Sequence, residues 1–161
     1  MSAPDKPDLS LVVNNEICHI GAIEGRPLVP DGKYHLKMVA HETSVKFGKP
    51  RLIMLFTIID PGEHHGTSLQ CFRNVDSLKG RPGKKGSFVP SRGGDFMIEH
   101  CKLLPDYNPR RDRISLNPYY NNIIVAKVEM VKKNNRGKAL PKQLWWSKVG
   151  ELLELTEELP T

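Results

Sequence analysis

The octapeptide Leu52-Ile53-Met54-Leu55-Phe56-Thr57-Ile58-Ile59 constrains this chain most. It is apolar at nearly every position, too short for a typical globular helix and rich in β-branched residues, so it reads as a strand covered on both faces. A strand of that kind needs neighbours, and the flanking sequence supplies two. Upstream, Lys33-Tyr34-His35-Leu36-Lys37-Met38-Val39 puts Tyr34, Leu36 and Met38 on one side and Lys33, His35 and Lys37 on the other, the period of a half-buried strand. Downstream, Thr67 to Val75 is a third extended segment, of mixed polarity, entered through the breaker cluster Asp60-Pro61-Gly62. Gly32 to Val75 therefore predicts a β-meander, joined by a polar hairpin loop over His41 to Pro50 and a tight connection over Pro61 to Gly66.

Beyond Val75 the pattern changes. Residues 79–94 begin Lys79-Gly80-Arg81-Pro82-Gly83-Lys84-Lys85-Gly86, which predicts a mobile basic loop. Gly94 to Leu104 has helical spacing through Met97, Cys101 and Leu104, with Phe96, His100 and Leu103 beside them, Asp95 near its positive end and Pro105 stopping it. A fourth strand is expected over Ile123 to Val131, with Ile124, Ala126, Val128 and Met130 on one face. The turn from Lys132 to Lys138 then leads to a fifth strand, Lys142 to Val149, carrying Trp145 and Trp146. The end, Glu151 to Leu159, reads as a short amphipathic helix or acidic tail.

The order of three strands, a helix and two strands is that of a mainly β, five-stranded Greek-key barrel of the OB type, with an SH3-like or other small barrel as the alternative. The 161 residues suit one domain over 9–150, with a flexible leader at 1–8 and an acidic, leucine-rich segment at 151–161. Leu9 to Val13 is a candidate edge strand.

Charge narrows the partner. The formal net charge is +6, and the pI is near 9.3. Between Arg73 and Lys142 sixteen Lys and Arg stand against six Asp and Glu, a balance of +10 that leaves −4 elsewhere. That concentration favours an anionic partner. Cys18, Cys71 and Cys101 are odd in number and lack C-x-x-C spacing, so a disulfide framework or zinc ribbon is not suggested and a reducing cytoplasm is expected. Neither a secretory signal nor a membrane-length apolar run is present in these residues. No nucleotide-binding or nucleophile motif occurs; Asp60, Glu63 and His64 are the nearest thing to an acid/base cluster, and the His and Cys residues lack metal-ligand spacing. A non-enzymatic protein without cofactor or metal is the expectation.

Several of these pieces resemble a family. Pro30-Asp31-Gly32-Lys33-Tyr34, the Phe47-Gly48-Lys49 tip, the apolar strand ending at Ile59-Asp60, and Gly66-Thr67 with Phe72-Arg73-Asn74-Val75 together look like small OB-fold single-stranded-DNA-binding proteins of phages and mobile elements. The resemblance covers Gly32 to Val75, and the remainder by strand order only. It implies non-catalytic binding of single strands in DNA replication, recombination or transfer.

Single-strand binding needs a cationic track for phosphates and exposed rings for bases. On an OB barrel the candidates are Lys46, Phe47 and Lys49 in the first loop, Phe72 and Arg73 on the third strand, Lys84 and Lys85 in the basic loop, Lys132, Lys133, Arg136 and Lys138 in the last turn, and Trp145. RNA is not distinguished from DNA by residue type. The competing expectation is a protein-interaction module, a replication accessory or an inhibitor of a nucleic-acid enzyme, docking through its basic face or its acidic end.

Overall fold

The structure, a computed structural model, describes residues 26–106 and 110–157. The expected leader, the Leu9 to Val13 edge strand, Cys18 and the last four residues lie outside them.

Eight strands and two helices follow in order: β1 (Gly32–Lys46), β2 (Lys49–Ile58), β3 (Ser68–Asn74), β4 (Ser77–Lys79), β5 (Gly83–Lys84), β6 (Ser87–Val89), α1 (Asp95–Leu103), α2 (Asn117–Asn121), β7 (Ile123–Val131) and β8 (Trp146–Thr156). The main sheet is antiparallel, in the order β3-β2-β1-β7-β8, with β5 on β1; β4 and β6 form a separate ribbon.

Strand β1 organises the sheet. It is far longer than Lys33 to Val39, because the expected polar loop continues both strands of the hairpin almost to its tip. Gly32 to Lys37 pairs with β7, and from Leu36 onward the strand pairs with β2, so that Leu36 and Lys37 have both neighbours. The pairing shifts by one residue between Met38 and Ala40, a bulge that turns Val39 outward to half exposure. Beyond it, β5 takes the edge that β7 leaves, with Glu42 opposite Lys84 and Thr43 opposite Gly83.

Alternation along β2 sends Leu52, Met54, Phe56 and Ile58 into the core against Leu36, Leu69, Ile124 and Leu152. Ile53 is buried on the opposite side, as expected of a strand covered twice, whereas Leu55 and Thr57 are only half covered.

Four expectations are corrected. The sheet is not a closed barrel: β3 and β8 are its unpaired ends. Side chains span the gap instead. The guanidinium of Arg73 on β3 donates to Glu99 of α1 at 2.9 and 2.8 Å and to the Gly150 carbonyl on β8, and Glu99 also accepts the Leu152 N–H. Glu151 to Thr156 form no helix, since they belong to β8 and continue its pairing with β7. The basic segment 79–94 is not structureless, because β4, β5 and β6 interrupt it. In α1 Phe96, Met97 and His100 of the expected stripe are buried, together with Glu99, but Cys101, expected on the inward face, is exposed. Among the described residues no helix is long and apolar enough to cross a membrane.

Candidate nucleic-acid interface

The tip joining β1 to β2 is a two-residue turn with Phe47 at φ 54° and Gly48 at φ 74°. Positive φ at both central residues is the condition for a type I′ hairpin. Glycine meets it at no cost; phenylalanine does not, and here it stands 85 % exposed. Lys46 and Lys49 flank it, the Lys46 ammonium 5.6 Å from the ring centre.

Opposite stands the β7–β8 turn. The Asn134 Oδ1 accepts the backbone N–H groups of Arg136 and Lys138, both at 2.9 Å, Gly137 takes φ 77°, and Lys133 bridges to Ala139. This fixes the backbone and leaves the basic side chains outside.

Between the two lies an aromatic floor. Phe72 on β3 meets Trp146 on β8 edge to face, with ring centres 6.1 Å apart. Arg51 lies 5.2 Å from the Phe72 ring and is held by its Nε donating to Ser44 Oγ at 2.9 Å. Arg26 lies 4.1 Å over Trp146. Burial lowers the Arg51 pKa, partly countered by Glu42 and reinforced by Arg26. The whole forms one open groove whose lining includes Arg26, Lys46, Lys49, Arg51, Lys133 and Lys148, and no acidic residue among the described ones. An adjoining hollow shares Trp146 and Lys133 and continues past Leu144 to Trp145. Trp145 is half buried, its Nε1 donating to the Leu140 carbonyl at 3.0 Å and its ring lying 4.7 Å from the Lys132 ammonium.

The groove thus brings together Lys46, Phe47, Lys49, Phe72 and Lys133, with Trp145 at its far end. Arg136, Lys138 and Lys132 are on the last turn but not in the lining. Arg73 must be withdrawn: it is buried, and its guanidinium is fully engaged by Glu99 and two carbonyls. Lys84 and Lys85 leave the groove as well, because β5 carries them to the outer edge of β1, where Lys85 borders a different cleft. Sequence reasoning missed Arg26, Arg51, Trp146 and Lys148. The two tryptophans do not share a strand as expected, because a 3-10 turn at Lys142–Leu144 delays β8 to Trp146 and leaves Trp145 before it.

The other polar residues have structural work. Asp60 accepts the His35 backbone N–H at 2.7 Å and meets its Nδ1 at 2.8 Å. Cys71 is buried, and burial pushes its thiol up to about 11. Among the described residues no three His, Cys, Asp or Glu side chains converge as a metal set.

No family model matches the chain, and neither the comparison with curated proteins nor that with solved structures returns a match.

Proposed function

We propose that this protein binds single-stranded DNA without catalysis, in replication, recombination or transfer, and that its sheet is an OB-type barrel left open between β3 and β8. The strand order, the long bent β1 shared by two partners and the helix across the open ends all suit that fold, with β4 to β6 as an insertion. The observation that carries the function is the meeting of the β1–β2 tip and the β7–β8 turn in one groove with a cationic lining and an aromatic floor. Cations there suit phosphates, and the rings suit bases, which stack with about 1–3 kcal/mol each.

Phe47 makes the reading testable. Its ring covers nothing in the core, so Phe47→Ala should leave the unfolding midpoint unchanged. Anisotropy of a labelled oligothymidylate of about ten nucleotides should show affinity falling about tenfold in that variant, and the parental protein should prefer this strand to a duplex of equal length. Equal affinity for duplex and single strand, untouched by the substitution, would contradict the reading.

A further inference from the structure

A second cleft, sharing no lining residue with the groove, lies where the β4–β6 insertion and the segment before β7 meet the middle of β1. It also joins cations to an apolar and aromatic wall. Lys79, Lys85 and Arg113 contribute charge, and Val39, Phe88 and Tyr120 contribute surface. Its single carboxylate, Asp112, is held by Arg110 through bonds of 2.8 and 3.2 Å, and the Lys79 ammonium donates to the Asp112 backbone carbonyl at 2.7 Å. Arg113 and Lys85 are exposed on this surface.

Three features show that the wall is built and held. The β-bulge of β1 turns the apolar Val39 into the cleft, the re-aiming of a side chain for which bulges are used. Lys85 sits at φ 52°, a conformation that costs a non-glycine residue, and its N–H donates to the His41 carbonyl at 3.0 Å. His41 in turn meets the Tyr120 hydroxyl through Nδ1 at 2.5 Å, tying the insertion, β1 and α2 together at the base of the cleft.

We infer that this cleft is a second contact site for the same nucleic-acid strand, taking phosphates on Lys85 and Arg113 at a point beyond the main groove. The inference rests on the single-strand reading. Both sites border β1, and from His41 to Lys46 the strand advances about 17 Å at about 3.3 Å per residue. One OB unit covers about 4–16 nucleotides, so a long oligomer can reach both sites and a short one cannot.

The test is a length series at several salt concentrations, using oligothymidylates of about five and about fifteen nucleotides. The double variant Lys85→Asn, Arg113→Ala removes two exposed charges, and asparagine tolerates the positive φ at position 85. The expected result is unchanged affinity for the short oligomer and, for the long one, a salt slope shallower by about 1.4, at about 0.7 per phosphate. Long and short oligomers both unaffected by the double substitution would overturn the second site while leaving the groove intact. Thymidine monophosphate bound by the parental protein and lost in the double variant, with the length series unmoved, would overturn the strand path and make the cleft a free-nucleotide site. Absence of all oligomer binding in the parental protein would overturn the single-strand reading, and this inference with it.

Discussion

Arg73 and Arg51 lie on neighbouring strands and have opposite employment. Side chains of successive residues leave a strand on opposite faces, so Phe72 points to the groove and Arg73 points to the gap beneath α1. There Arg73 and Glu99 form a buried pair whose lone partner would be stranded if the other were changed. Glu99→Gln should therefore destabilise the protein by about 3–5 kcal/mol in a denaturant titration, whereas a change at exposed Lys46 should move the midpoint little. Two imidazoles set a pH response. Burial lowers the pKa of both His41 and His100, and the Lys85 charge adds to the effect at His41. Each also meets a tyrosine hydroxyl through Nδ1, at 2.5 and 2.8 Å. Below the ordinary imidazole value of 6.5 the unfolded chain takes up protons that the fold resists. Their contribution is thus fully present above that value and is lost as pH falls toward the lowered folded values. The melting temperature should drop between neutral pH and pH about 5, less steeply in His41→Gln, since His41 is one of the two groups linked to the proton uptake.

At the scale of elements, the insertion depends on a single close approach. A Cβ on Gly86 would stand 2.0 Å from the Thr43 Oγ1, and that hydroxyl also accepts the Gly83 N–H at 3.3 Å. Gly86→Ala should cost about 1–3 kcal/mol by overpacking and speed hydrogen exchange in β5 and the middle of β1, with the groove turns unaffected. How elements pair also explains what the sequence concealed. In β8, Val149, Leu152 and Leu155 fall three residues apart, which looks helical. Two shifts in register against β7, after Val125 and after Lys127, each absorb a residue and bring all three to the core side of a strand. Strands with intact alternation, such as Ile124-Val125-Ala126-Lys127-Val128, were legible for the same reason that β8 was not. The groove followed this rule too. Turn chemistry revealed the Phe47-Gly48 tip and the last turn with its Asn134, Asn135 and Gly137, and hence Lys46, Lys49 and Lys133. The floor was hidden, because placing Arg51 beside Phe72 and Phe72 against Trp146 requires the register of three strands. Lys84 and Lys85 were assigned to the groove on charge alone, and two residues of pairing with β1 put them elsewhere.

For the molecule as a whole, the open seam and the groove are one feature seen from two sides. The β3–β8 gap is bridged on its inner side by Arg73 reaching the Gly150 carbonyl, and on its outer side by Phe72 against Trp146. A ligand seated on that floor contacts both ends of the sheet, and binding only the folded state raises its stability in proportion to the logarithm of ligand excess. Positive charge lines both this groove and the cleft beside β5: the groove draws most of its cations from outside Arg73 to Lys142, whereas Lys79, Lys85 and Arg113 of the cleft all lie within it. The central claim is that the groove takes single strands, and Trp146 in its floor, with Trp145 in the adjoining hollow, reports directly. Titration with polythymidylate, followed by tryptophan emission at two salt concentrations, should give saturable quenching whose affinity falls with salt at a slope of about −0.7 per phosphate neutralised. Unchanged emission and no binding at low salt would contradict it.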